Sequence, residues 1–222
     1  MLTQWRKQGL AGQLNGIHRL THAFRMGCEL HAEESSANGH EGNSSTDPFG
    51  LRILTGDVYN ELMLVCLRDM LHMWNAFLQY EQPEEDSGAV PAMPDRRPKW
   101  SALKALVKSY FIHLVSFCRS LTDVQLTGFL LKHLRPMIPY AVVTAKAPRK
   151  LLKSLLRMWV GDVQVNRVLA FMCIHRLAAY APYPFINDVL KRAFLTYAQH
   201  GKFANASSLP TIRFLRNCVV VS

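Results

Sequence analysis

The segment 147–160, Ala-Pro-Arg-Lys-Leu-Leu-Lys-Ser-Leu-Leu-Arg-Met-Trp-Val, leaves little freedom in how it can fold. At about 100° per residue, Met158, Leu151, Leu155, Trp159, Leu152 and Leu156 fall on one arc of a helix, and Arg149, Lys153, Arg157 and Lys150 fall on the opposite one. Pro148 takes a first-turn position where its missing donor costs no hydrogen bond, and Gly161 marks the stop. One side of this helix needs a core; the other needs water or anions.

A solvated charged back is the ordinary explanation of such a helix, but here its surroundings carry the same sign of charge. The 222-residue chain has 26 Lys and Arg against 16 Asp and Glu, a net charge of +10. That excess is one-sided. Residues 33–98 hold four basic against twelve acidic side chains, a balance of −8, whereas residues 99–222 hold eighteen against three, or +15. A basic half of this kind favours anionic partners, nucleic acid first and acidic lipid or protein after it. With 49% hydrophobic and 19% charged residues, the chain can bury a core and is globular rather than disordered.

Cys28, Cys66, Cys118, Cys173 and Cys218 are odd in number and widely spaced, each inside an apolar helical pattern. Neither a disulfide framework nor a Cys-x-x-Cys clip is read from them, and buried thiols in a reducing compartment are expected. The opening Met-Leu-Thr-Gln-Trp-Arg-Lys lacks the apolar stretch of a signal peptide, and no later run approaches the roughly 20 apolar residues that span a bilayer. The expectation is a cytosolic or nuclear chain with no membrane partner.

Taken in order, residues 10–30 read as an amphipathic helix through Leu10, Leu14, Ile17, Leu20 or Thr21, Phe24 and Cys28, with Gly12, Gly16 and Gly27 each weakening it by about 1 kcal/mol. Residues 33–50 are too polar to bury and read as a mobile loop. A second helix follows from Asp57 through Val58, Leu62, Val65, Cys66, Met70, Met73 and Phe77. The acidic, proline-rich stretch 81–98 then sets the main expected boundary, between N-terminal helices with two polar loops (1–98) and a basic helical-repeat region (99–222). Beyond it, one apolar stripe runs through Trp100, Leu103, Val107, Tyr110 or Phe111, Leu114 and Phe117 or Cys118. Thr122-Asp123 offers a cap to a helix through Val124, Leu126, Phe129, Leu130 and Leu134 that Pro136 and Pro139 are expected to interrupt.

Asp-Val-Gln at 123–125 recurs at 162–164, and downstream Val124, Leu126, Phe129 and Leu130 align with Val163, Val165, Val168 and Leu169. A helix-pair repeat of roughly 40 residues is the period of HEAT and armadillo arrays. Residues 184–199 add another helix, with Phe185, Ile186, Val189, Leu190, Phe194 and Tyr197 expected inward, and a last helix is expected over about 207–220. The fold expected is therefore all-α, stacked antiparallel helix pairs in a HEAT/armadillo-like superhelical array.

Residue patterns that carry chemistry are few. His18, His22, Cys28 and His31 are the best metal candidate, but on one continuous helix Cys28 and His31 point away from the histidine pair, so no metal site is assigned. No nucleophile elbow, phosphate-binding loop or dinucleotide turn occurs. Asp123, Asp162 and Asp188 each stand where they would cap or start a helix, and His113, His133 and His175 sit within helical patterns at the edge of a core. No catalytic residue and no cofactor are expected. The candidate binding surface is the ridge Lys146, Arg149, Lys150, Lys153 and Arg157, which can hold phosphates by charge without reading sequence.

The end of the chain is more distinctive. Lys202-Phe203-Ala-Asn205-Ala-Ser-Ser-Leu209-Pro210-Thr-Ile212-Arg-Phe214-Leu-Arg-Asn217 resembles the nucleolar complex protein 2 family. So do Val107-Lys-Ser-Tyr-Phe111, Leu134-Arg-Pro-Met-Ile-Pro-Tyr140, the Arg149-Lys-Leu-Leu-Lys153 helix with Trp159, and Arg167-Val-Leu-Ala-Phe171, all in the family's order. The resemblance implies a helical-repeat protein of the nucleus, nucleolus and nucleoplasm. Such proteins assemble with sister nucleolar complex proteins on pre-ribosomal particles of the large subunit and carry them through the nucleus, with contact to ribosomal RNA a further expectation. The alternative it implies is a histone-binding regulator that inhibits acetylation. It supplies no catalytic residues, and Lys202, Phe203, Asn205, Leu209, Pro210, Phe214 and Asn217 are expected to act through caps and core rather than through a ligand. Family members are several hundred residues long and continue after Asn217-Cys218-Val219 into further helices, whereas this sequence ends at Val220-Val221-Ser222, so a fragment, a splice form or a truncated gene model is expected.

Overall fold

The computed structural model describes residues 1–35, 55–81 and 93–201, together with 212, 213 and 216. Over the described residues the chain is all-helical, as expected. The helices are α1 (Leu2–Leu10), α2 (Leu14–Ser35), α3 (Gly56–Leu78), α4 (Trp100–Ser120), α5 (Val124–Val142), α6 (Ala147–Trp159), α7 (Gln164–Tyr180) and α8 (Phe185–Gly201), with a 3-10 turn at Pro94–Arg96. They group into two compact units, Met1–Leu121 and Thr122–Ser222.

In the first unit α2, α3 and α4 meet around Tyr110. Its ring stacks on Phe24 at 4.6 Å and meets the edge of Trp74 at 5.2 Å, and its hydroxyl donates to the Cys66 carbonyl at 3.1 Å. Burial raises the Tyr110 hydroxyl and the Cys28 and Cys66 thiols well above their ordinary ranges, so all three stay protonated and pack as apolar groups. The compositional break at 81–98 lies within this unit, because α4 packs on α2. Thr55 caps α3 by accepting from the Val58 backbone N–H at 3.4 Å, and left-handed Gln79 ends it, with the Tyr80 N–H reaching back to the Asn75 carbonyl at 3.0 Å.

The helix expected over residues 10–30 is α2, which begins at Leu14, and a separate helix, α1, precedes it. α1 ends at Leu10, and Gly12, at φ 71°, supplies the left-handed residue that turns the chain into α2. The Gln13 N–H closes the turn on the Gln8 carbonyl at 3.0 Å. Leu10 therefore leaves the apolar stripe and is 41% exposed, while Trp5 and Gly9 of α1 are buried. Val58, also expected in a stripe, is exposed in the first turn of α3, ahead of the length that packs.

Asp69 ties α1 to α3. It is buried, and it accepts from Arg6 Nε at 2.6 Å and from Arg68 Nε at 2.9 Å. Burial alone would raise its carboxyl, but the hydrogen bonds and charges of the two arginines outweigh that and hold it below the ordinary carboxylate range. With the folded pKa below an unfolded value near 3.9, the stabilisation is present above the unfolded pKa and is lost as pH falls through the folded one. Denaturant titrations of the wild type and Asp69→Asn should differ at neutral pH by on the order of 1 kcal/mol, since both arginines are partly solvated, and should begin to approach each other below about pH 4 and meet once the pH is below the folded pKa. A gap that persists unchanged into acid would show that the charge of Asp69 is not what stabilises.

In the second unit α5 and α7 lie side by side and run the same way. Asn166 Nδ2 donates to the Val124 carbonyl at 3.2 Å, and seven residues on along both helices Cys173 Sγ approaches the Leu131 carbonyl at 3.5 Å. Asp123 caps α5, accepting from the Leu126 N–H at 2.7 Å. Pro136 and Pro139 do not interrupt α5, which continues to Val142. Each proline removes an intrahelical donor, yet Met137, Ile138, Tyr140 and Ala141 are all buried, and ending the helix at the prolines would expose them. The 39-residue echo is also offset in the structure. Asp162 is exposed one residue before Val163, the N-cap of α7, so it does not repeat the Asp123 cap, and Val124 and Val165 are 46% and 64% exposed rather than core.

Candidate functional site

The ridge predicted on α6 is formed. Leu151, Leu152, Leu155, Leu156 and Trp159 are buried, whereas Lys146, Arg149, Lys150, Lys153 and Arg157 are all exposed. Trp159 fixes the orientation from within, stacked on Phe171 of α7 at 6.2 Å and 28°. Lys146 precedes the helix with a left-handed backbone, φ 67°, and Pro148 follows in the first turn. Lys150 and Lys153 stand one turn apart on the outer side of a rigid element, which is the arrangement a phosphate backbone can meet.

The ridge does not stop at α6. Arg149 approaches Asp188 of α8 at 3.9 Å, and Asp188 also accepts from Arg192 at 2.9 Å. Lys191 beside them is exposed, so α8 adds two cations and one partly screened carboxylate to the surface. Sequence periodicity missed this because Asp188 reads as a first-turn acid of its own helix, which it also is.

The other candidates do not come together. Asp123 and Asp162 belong to helix starts, and His113 is half-buried, with burial lowering its pKa from the ordinary imidazole value despite the nearby Glu29. His133 lies against Phe129 at 4.4 Å, half-buried at the edge of the core, while His175 is exposed. Within the first unit His18 is exposed, His22 half-buried and Cys28 buried. Among the described residues no group of three or more His, Cys, Asp or Glu is placed to hold a metal. Cys28, Cys66, Cys118 and Cys173 are buried and form no disulfide, as expected of structural thiols; Cys218 lies outside the described residues. A small cavity at the starts of α5 and α7 is lined by Thr122, Thr127, Met158, Asp162 and Asn166, with one carboxylate and no base. No helix of the described residues is long and apolar enough to cross a membrane.

Lys202, Phe203, Asn205, Leu209, Pro210, Phe214 and Asn217 lie outside the described residues, as does nearly all of the helix expected over 207–220. So do most of the loop at 33–50 and residues 82–92 of the acidic, proline-rich stretch; Glu81 and residues 93–98 are described, and Glu81 and Asp95 are exposed.

The molecule so defined is an all-α protein whose assembled polar feature, among the described residues, is an external cationic helix face. Over nearly its whole length it is similar to nucleolar complex protein 2 of Drosophila melanogaster, with 25% identity over 224 aligned positions covering 99% of this chain and 28% of the relative. It is also similar to nucleolar complex-associated protein 2 of Arabidopsis thaliana, 23% identical over 94% of this chain and 26% of that protein. A third relative, protein REBELOTE of Arabidopsis thaliana, is 22% identical over 70% of the chain. No family model matches. The resemblance to the nucleolar complex protein 2 family, read above from short motifs, is thus borne out along the chain as a whole. The chain spans about a quarter of the length of these relatives.

Proposed function

We propose that this chain is a non-enzymatic helical scaffold of the nucleolus and nucleoplasm. It acts in assembly of the large ribosomal subunit and in intranuclear transport of pre-ribosomes, together with sister nucleolar complex proteins. The names of its relatives support the nucleolar setting. The observation that carries the molecular reading is the exposure of Lys146, Arg149, Lys150, Lys153 and Arg157 on a helix whose opposite face is buried.

In this reading α5 to α7 form the repeating element of a HEAT-like stack. Two parallel helices are joined by α6, and a four-residue connection after α6 reverses the chain direction. The stack supplies rigidity and α6 supplies charge. Ribosomal RNA in a pre-ribosomal particle presents phosphates to that charge, and the helix reads no bases, because its aromatic residue, Trp159, is buried.

Titrating the chain with single-stranded RNA at stepped salt tests this. Phosphate contacts give a log-log salt slope of about 0.7 per cation engaged, so Lys150→Ala with Lys153→Ala should flatten the slope by about 1.4. Affinity near physiological salt should fall by roughly tenfold, with thermal stability unchanged because both side chains are exposed. A slope identical in the variant overturns the RNA reading of α6.

A further inference from the structure

The sequence pattern places Leu190 and Phe194 inward on α8, but the structure turns both out. Phe185 and Val189 are buried, and the opposite side carries Leu190 at 49%, Phe194 at 57% and Leu195 at 45% exposure. At 100° per residue these three span an arc of about 140°, with Lys191 between Phe194 and Leu195, and Asn187 and Ala198, both exposed, completing the face. Asp188 and Arg192 lie on the flank nearest Arg149 of α6. Val165 and Val168 of α7 are also exposed, but the exposed charge nearest them in the chain is the acidic Asp162, and α7 exposes no lysine or arginine. The α8 face differs in joining large apolar side chains to cations.

The geometry points to this face of α8 as a docking surface for an acidic amphipathic helix of a partner protein. Leu190 and Phe194 stand one turn apart and form a ridge that fits the groove of a helix laid alongside. Lys191 in the middle asks for a carboxylate beside the partner's apolar stripe, and at one edge Arg192 and Arg149, which share Asp188, leave one net positive charge for a second. A phosphate backbone would satisfy the cations and leave three apolar side chains facing water, so RNA is the poorer occupant. Charge also argues against two occupants from this chain. Segment 202–222 carries Lys202, Arg213 and Arg216 and no acid, and a second copy would bring Lys191 against Lys191. This inference is independent of the RNA reading of α6.

Two synthetic amphipathic helical peptides with the same leucine stripe, one flanked by glutamates and one by lysines, provide the probe, with binding to the full 222-residue chain read by fluorescence anisotropy. The glutamate peptide is expected to bind saturably and the lysine peptide at least about tenfold more weakly. Phe194→Ser should weaken the glutamate peptide by about tenfold or more, and Lys191→Glu should exchange the preference between the two peptides. Lys150→Ala with Lys153→Ala should leave peptide binding unchanged, which separates this face from α6. Both positions on α8 are exposed, so circular dichroism of the variants should match the wild type. Equal affinity for the two peptides overturns the proposal, as does binding indifferent to Phe194→Ser. Sedimentation showing self-association that Phe194→Ser abolishes assigns the face to a second copy instead, and displacement of the peptide by single-stranded RNA assigns it to nucleic acid.

Discussion

Trp159→Ala is expected to destabilise the second unit by about 3–5 kcal/mol, the range for emptying a buried large aromatic site. Trp159 is 1% exposed, and Leu151, Leu152 and Leu155 beside it are equally sealed, so few neighbours are free to relax into the space. The ring also seats α6 on α7 through Phe171. Its loss loosens the helix that carries the ridge, and RNA affinity should fall although no cation has changed. Trp159→Phe keeps much of the ring contact and should recover most of the stability, while Lys153→Ala on the opposite face should stay within about 0.5 kcal/mol of wild type. Urea unfolding followed by far-ultraviolet circular dichroism checks all three. Trp159→Ala neutral and Lys153→Ala costly would mean that α6 is rolled over, and the cationic surface with it.

The faces of α6 were legible in the sequence because a helix with all its leucines on one arc and all its cations on the other has one stable orientation. The helices α3, α4 and α5 were legible for the same reason, since their stripes are long enough to outweigh local composition. Pro136 and Pro139 were misleading because the cost of a proline in a helix is local, whereas burial of Met137, Ile138, Tyr140 and Ala141 is tertiary and larger. On α8 the pattern failed differently. Leu190, Phe194 and Leu195 share a side with Lys191, and periodicity alone does not distinguish apolar residues that pack internally from apolar residues held out for a partner. The link between Arg149 and Asp188 joins residues 39 positions apart, and no spacing rule within one helix reaches that far. α1 was missed because it is short and polar, and because its packing is recorded in glycines rather than in a stripe.

Those glycines make the second large prediction. A glycine inside a helix ordinarily weakens it, and replacement by alanine gains up to about 1 kcal/mol. At Gly16 the sign should invert. A Cβ there would stand 2.6 Å from the Gly9 backbone nitrogen and 2.7 Å from the Trp5 carbonyl oxygen, both main-chain atoms of α1. Neither atom can rotate away as a side chain would, so α1 must move as a body or detach from α2. Overpacking of this kind costs about 1–3 kcal/mol, and Gly16→Val should reach or exceed the upper end, since its extra methyls meet the same backbone and its branched Cβ suits a helix less. Gly56 provides the control, because it opens α3 with nothing within 4 Å of the added atom, and Gly56→Ala should be neutral or stabilising. Denaturant unfolding of the two alanine variants decides the matter. If Gly16→Ala gains stability as Gly56→Ala does, α1 is not packed backbone to backbone on α2, and the buried Trp5 and the Arg6–Asp69 pair lose the framework that positions them.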